Sequence, residues 1–251
     1  MTNSSNNNAL ENTTPADFFK WSVLDNDTVR IDKYLGDEEK VVIPAEIDGK
    51  MVTVIGGEAF CDCASLTSVT IPDSVAWIDE GAFKRCSALT SINIPYNVIS
   101  IEEYAFFGCK SLKEITIPAA ILMGDFTFAG CESLTSITIP ANLKEIGSST
   151  FHGCKSLKSI TIPNVILIGA CAFADCKSLA SINIPKSVEE IGEGAFFNCR
   201  SLTSIIIPDN VKKIGNEAFL ECSSLALISL PDSVDIGEDA FKGTLLEDKY
   251  K

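Results

Sequence analysis

The sequence contains one histidine, His152, and no apolar run of the roughly 20 residues that a membrane-spanning helix needs. A single imidazole argues against catalytic triads and histidine-based zinc sites, so we expect no enzyme. The first ten residues, MTNSSNNNAL, have neither the basic nor the apolar region of a secretory signal. We therefore expect no membrane insertion, and either a cytoplasmic location or export without a signal peptide.

Basic residues are also scarce, because 20 lysines and arginines face 34 aspartates and glutamates, for a net charge of −14. A field of that sign repels phosphate backbones and anionic lipid surfaces. The charge balance therefore argues against a nucleic-acid partner.

Proline and cysteine, by contrast, occur ten times each. Nine prolines, from Pro44 to Pro231, are separated by 28, 23, 23, 22, 23, 22, 23 and 23 residues. Such a period predicts a solenoid, in which each unit buries its apolar face against the next. Eight cysteines keep the same spacing and form a predicted structural ladder: Cys63, Cys86, Cys109, Cys131, Cys154, Cys176, Cys199 and Cys222.

The repeating unit reads A-F-x-x-C-x-x-L-x-x-I-x-I-P-x-x-V-x-x-I-G, and its spacing from Phe to Pro is constant in the eight complete copies. The stretch L-x-x-I-x-I ends in β-branched alternation, which predicts a short strand with Ile inward and Ser or Thr outward. Proline then ends the strand, because it has no N–H to donate. The segment from Ala-Phe to Cys is too short for an amphipathic helix and predicts one or two helical or 3₁₀ turns.

The combination of Ala-Phe, Cys-x-x-Leu and Ile-Pro resembles the BspA-type leucine-rich repeats of bacterial surface antigens, from Val41 to about Gly243. The resemblance implies a leucine-rich repeat superhelix, an α/β repeat solenoid with a parallel β-sheet on one face and short helical or 3₁₀ turns and loops on the other. It also implies a cell-surface or secreted protein with a role in adhesion or host interaction.

The ends of the chain depart from the period. We predict a disordered leader over 1–15 and an N-terminal cap over 16–56, with a β-hairpin that turns at Asp48-Gly49. Eight full coils and a truncated last unit then fill 57–243, and a charged tail occupies 244–251.

The cysteine ladder has two readings, a set of disulfides or metal ligands and a stack of buried free thiols. Stacked coils lie about 4.8 Å apart, whereas a disulfide needs Cβ atoms about 3.8 Å apart, so we expect free thiols. Cys61 and Cys171 lie outside the ladder and are expected to be accessible. Cys61-Asp-Cys63 has no second pair at zinc spacing, and a His152–Cys154 pair would use a thiol that other coils use as filler. The sequence therefore predicts no catalytic, cofactor-binding or metal-binding residues.

The outward positions of the strands predict an uncharged hydroxyl surface, joined near its end by two apolar residues. We expect a non-enzymatic scaffold that binds a protein partner through this face or the variable-loop edge, as a monomer or with weak self-association. Two alternatives remain, an intracellular or effector-type interaction module and a carbohydrate-binding surface protein using Phe107, Phe126 and Phe197. The predicted surface comprises Ser91, Asn93, Glu114, Thr116, Ser136, Thr138, Ser159, Thr161, Ser181, Asn183, Ile206 and Leu227.

Overall fold

The computed structural model describes residues 13–250 and shows a β-solenoid of nine coils. Most of the predicted leader, residues 1–12, lies outside the described residues, as does Lys251. A short 3₁₀ helix (Ala16–Phe18) precedes the antiparallel pair β1 (Phe19–Val23) and β2 (Val29–Tyr34). A second 3₁₀ helix (Glu247–Lys249) lies near the C-terminus.

Each coil contributes one strand to each of two parallel columns along the solenoid, and the first coil has an additional strand, β4. The first coil consists of β3 (Lys40–Val42), β4 (Glu46–Ile47) and β5 (Lys50–Ile55). The other coils hold a three-residue and then a two-residue strand: β6 (Ser68–Thr70) and β7 (Trp77–Ile78), β8 (Ser91–Asn93) and β9 (Ser100–Ile101), β10 (Glu114–Thr116) and β11 (Leu122–Met123), β12 (Ser136–Thr138) and β13 (Glu145–Ile146), β14 (Ser159–Thr161) and β15 (Leu167–Ile168), β16 (Ser181–Asn183) and β17 (Glu190–Ile191), β18 (Ser204–Ile206) and β19 (Lys213–Ile214), β20 (Leu227–Ser229) and β21 (Asp235–Ile236).

The first sheet column, β3 and then the even-numbered strands from β6 to β20, is the sheet that the sequence predicts. Its strands run parallel and in register, so that Ser159 pairs with Ser181 and Ile160 with Ile182. The ladder is continuous through β3, β6 and β8 and then continues as the pairs β10–β12, β14–β16 and β18–β20. The central Ile or Val points toward the core in each coil, as the alternation predicts.

The second sheet column, the odd-numbered strands from β5 to β21, was not predicted from the sequence. Here Glu190 pairs with Lys213 and Ile191 with Ile214. The glycine that usually follows this Ile permits a close approach between coils, because a Cβ on Gly215 would lie 2.5 Å from the Glu193 nitrogen. The I-G of the repeat therefore reflects direct backbone contact with the preceding coil.

The segment from Ala-Phe to Cys forms hydrogen-bonded turns, and the prediction of helical or 3₁₀ turns there is wrong. Two residues per coil have positive φ, for example Cys171 (53°) and Asp175 (58°), and such residues interrupt a right-handed helix. Backbone N–H groups alternate between the same coil and the next, so that Ala174 donates to Cys171 at 3.0 Å and Phe173 to Ala195 at 2.7 Å. These turns form a third hydrogen-bonded column along the solenoid.

The hairpin occurs at Asp48-Gly49, where both residues have positive φ and β4 pairs antiparallel with β5. However, β3 pairs with β6 and β5 with β7, so residues 40–56 form the first coil with the hairpin inserted into it. The insertion accounts for the long gap of 28 residues between Pro44 and Pro72. The solenoid thus begins inside the range predicted as the cap.

The core is a ladder of phenylalanine rings, one per coil, with centroids 5.1–5.8 Å apart from Phe60 to Phe241. Tyr34 stacks on Phe60 at 5.2 Å, and Tyr250 packs on Phe241 at 4.7 Å. A tyrosine ring therefore covers the terminal phenylalanine at each end of the ladder. Its hydroxyl group places a polar atom at the end of the apolar core.

Candidate interaction surfaces

The face of the first sheet column is the predicted interaction surface, and the structure exposes all twelve of its predicted residues. Between β6 and β12, its side chains line an open groove of about 590 Å³. Apart from Glu114 the twelve are uncharged. The hydroxyl and amide groups offer hydrogen bonds to a partner, while the backbone beneath them is held by the stacked coils.

The apolar end of this face lies on β18 and β20. Ile206 is 72% exposed and Leu227 is 69% exposed. The two strands pair directly, with Ile206 opposite Ser229 and Leu227 opposite Ser204. Ile206, but not Leu227, lines a recess of about 460 Å³ together with Pro185 and Pro208. Exposed aliphatic side chains next to a recess provide apolar area that a partner could remove from water.

The cysteines are free thiols in the structure, and seven of the eight ladder members are buried, whereas Cys63 is half-buried. Each buried ladder thiol donates to the backbone carbonyl of the phenylalanine in the preceding coil, as Cys154 does to Phe128 at 3.3 Å. Burial raises the pKa of Cys131 and of Cys176 to about 12. Few of these sulfurs are thiolates near neutral pH, which suits packing and hydrogen bonding and disfavours nucleophilic chemistry.

The other chemically active side chains do not form a site. His152 is exposed on the turn column, whereas the Cys154 sulfur points into the core, so the two do not meet. Cys61 and Cys171 are half-buried, and burial raises the pKa of both thiols. Across residues 13–250 the structure has no cluster of three His, Cys, Asp or Glu side chains able to hold a metal ion.

The aromatic residues considered for carbohydrate binding lie on the turn column rather than beside the sheet. Phe126 stacks on Tyr104 at 4.9 Å, and Phe107 meets Tyr104 edge-on at 5.8 Å. These rings are half-buried against one another, as is Phe197. The arrangement does not provide the exposed aromatic surface near the sheet that the carbohydrate alternative requires.

The second sheet column exposes apolar side chains that sequence reasoning missed. Trp77 and Ile99 are each 40% exposed, Ile121 is 51% exposed and Leu122 is 62% exposed. They precede the buried Ile or Met of each short strand, at positions that three later coils fill with Lys or Glu and that another coil fills with Ile166 and Leu167. These apolar residues can be read from the sequence, but their exposure can be predicted only once the V-x-x-I segment is known to be a strand.

The repeat pattern also matches a known family model. The model of the BspA type leucine-rich repeat region matches residues 53–167 and 144–249, with six copies. The chain belongs to the BspA-type leucine-rich repeat family. No curated protein matches the chain by sequence.

Several solved structures resemble this chain over most of its length. The leucine-rich repeat protein TpLRR of T. pallidum is 31% identical over 92% of this chain and 88% of its own, with a TM-score of 0.50. The pneumococcal vaccine antigen PcpA is 20% identical over 86% of this chain and 69% of its own, with a TM-score of 0.53. A leucine-rich repeat protein from Bacteroides ovatus is 24% identical over 94% and 96%, with a TM-score of 0.45. Within the described part of this BspA-type chain, no helix is long and apolar enough to cross a membrane.

Proposed function

We propose that this protein is a non-enzymatic scaffold that binds a protein partner through the outward face of the first sheet column. Membership of a repeat family and a rigid stack of coils support a protein-interaction role in general. The observation that carries the choice of face is the exposure of Ile206 and Leu227, at diagonal positions on two paired strands, at the end of a hydroxyl surface.

The chemistry of the face suggests the kind of partner. Serine, threonine and asparagine side chains both donate and accept hydrogen bonds, so they suit an uncharged polar surface. Burying the two aliphatic side chains would add affinity from removed apolar area. A partner surface with polar groups around a small apolar anchor fits this arrangement. The resemblance to the family favours a partner involved in adhesion or host interaction. We expect the free chain to be monomeric or to self-associate weakly through the apolar end.

Selection from a displayed peptide library that lacks lysine and arginine would test the proposal, since a chain of net charge −14 attracts cationic peptides unspecifically. Independent ligands would be titrated against the full chain and against a double variant, Ile206→Ser with Leu227→Ser. We expect the variant to weaken most ligands at least tenfold.

The matched control is Ile121→Ser with Leu122→Ser, which removes two exposed aliphatic side chains from the second sheet column. This control variant should bind those ligands with unchanged affinity. The assignment to the first sheet column is wrong if most ligands bind the Ile206 and Leu227 variant as tightly as the unmodified chain but bind the control variant more weakly.

A further inference from the structure

The N-terminal half of the second sheet column has an apolar patch, which we define as Trp77, Ile99, Ile121 and Leu122. Trp77, Ser100 and Leu122 are successive partners in the parallel ladder β7–β9–β11. Ile121 lies over Ile99, because its backbone nitrogen donates to the Ile99 carbonyl at 2.9 Å. The patch therefore spans three coils, with the buried Ser100 between Trp77 and Leu122, and its members are exposed rather than part of the core.

An acidic recess lies at the C-terminal ends of β7 and β9, next to this patch. Asp79, Glu80, Glu102 and Glu103, together with Gly57, line its volume of about 430 Å³. Among residues 13–250, none of the nine ion pairs includes any of these four carboxylates. The nearby guanidinium of Arg30 is already paired with Asp32 at 2.7 Å.

Two of these carboxylates occupy a position that the fold normally gives to glycine. Seven of the nine coils have Gly after the second strand, whereas Asp79 and Glu102 stand there in the second and third coils. Half-burial raises the pKa of Asp79, so its environment disfavours the charged form. The fold does not need carboxylates here, and their concentration beside the apolar patch indicates a role outside the chain.

The other half of the same column is more charged. There Lys212 pairs with Glu189 at 2.6 Å, and Lys213 pairs with Glu190 at 2.9 Å. Ile166, which is 55% exposed, is the aliphatic exception in this half. Exposed apolar area is therefore concentrated in the N-terminal half, beside four carboxylates that belong to none of the ion pairs among the described residues.

We propose that the apolar patch and the acidic recess together bind a cationic amphipathic helix of another protein. The backbone of β7 and β9 is hydrogen-bonded to a neighbouring strand on both edges, so a partner that covers these coils must dock through side chains rather than by adding a strand. Two steps of about 4.8 Å between strands match about two turns of helix at 5.4 Å each. A stripe of apolar residues at i, i+3 or i+4, and i+7 would cover the patch, with Lys or Arg beside it facing the recess.

A second copy of this chain fits the surface less well. Pairing two patches would bring two acidic recesses together on molecules of net charge −14, and like charges at short range oppose association. The proposed surface is separate from the face used in the proposed function, and neither depends on the other.

The probe is a fluorescent 14-residue peptide of leucine and lysine with leucine on one helical face, together with a scrambled isomer of the same composition. Anisotropy titrations of the full chain should show at least tenfold tighter binding of the amphipathic peptide than of the isomer. Ile121→Ser with Leu122→Ser should weaken that binding at least tenfold. Glu80→Gln with Glu103→Gln should weaken it several-fold and reduce its dependence on salt, because fewer charges are then screened.

Ile206→Ser with Leu227→Ser is the matched control, and it should leave binding of the amphipathic peptide unchanged. Equal binding of the two isomers would overturn the proposal by showing attraction to net charge alone. An effect of the control variant as large as that of Ile121→Ser with Leu122→Ser would also overturn it. The proposal would also be overturned if the patch substitutions left peptide binding unchanged but abolished self-association in sedimentation. The patch would then bind a second copy of the chain.

Discussion

Removing one ladder thiol should measure how much the cysteines contribute to stability. Cys154 is fully buried, and its sulfur donates to the Phe128 carbonyl, which also accepts from the Cys131 nitrogen at 3.1 Å. Cys154→Ala deletes a group about as large as a methylene, worth about 0.8 kcal/mol of burial. It also removes a hydrogen bond worth about 0.5–1.5 kcal/mol. With the small cavity that remains, we expect a loss of about 2 kcal/mol in the free energy of unfolding.

Urea titration followed by circular dichroism would measure this loss against Cys61→Ala, which truncates a half-buried cysteine outside the ladder. We expect the control to change stability by less than about 0.5 kcal/mol. Solenoids can unfold in parts, so the two variants must keep the same denaturant slope for the comparison to hold. If Cys154→Ala is no less stable than Cys61→Ala, burial and hydrogen bonding of the thiols do not stabilise the stack.

Three further predictions concern the core, the turns and the thiols. Phe151→Ala should lower the free energy of unfolding, measured in urea, by about 3–5 kcal/mol. The reason is that it interrupts the ring ladder between neighbouring rings whose centroids lie at 5.8 and 5.3 Å. A loss below about 1 kcal/mol would contradict that role. Cys171→Gly should raise the melting temperature, with a gain of about 1 kcal/mol, because a φ of 53° suits glycine better than cysteine. In native alkylation only Cys61, Cys63 and Cys171 should react, slowly at pH 8 and faster above it because burial raises the pKa of each thiol. The other seven should react after denaturation, and a count of fewer than ten thiols then would show disulfides.

The first sheet column could be predicted because its signal is local and repeated. The alternation in Leu157-Lys-Ser-Ile160-Thr-Ile162 specifies which side chains point inward, and the proline marks where each strand ends. The constant spacing from Phe to Pro fixes the register between coils, so Ser159 and Ser181 pair as the repeat requires. The predicted surface residues follow from that register alone.

The second sheet column could not be predicted in the same way. A strand of two residues is too short to show a period, so Glu190-Ile191 reads as part of a variable loop. The first positive-φ position of the turn column gave little signal because it holds residues as different as Glu58, Tyr104 and Cys171. The second position is Gly, Asp or Asn in seven of the nine coils, and this preference is the signal that could have revealed the turns. The apolar patch was missed for the same reason, since it lies on and beside unrecognised strands. The four carboxylates of the acidic recess are visible in the sequence as acidic loop positions, but the sequence does not show that they line one recess.

The way in which the coils bond to one another separates the residues that stabilise the fold from the residues that are free to serve function. Backbone groups in three columns bind the neighbouring coil, while Phe, Leu, Ile and Cys fill the interior at fixed positions. Outward side chains are free to differ because they contribute little to that stack, as the change from Trp77 to Lys213 at equivalent positions shows. A departure from the repeat that the stack does not require therefore points to a reason outside it. Asp79 and Glu102, where seven coils have glycine, are such departures, and they line the acidic recess beside the apolar patch.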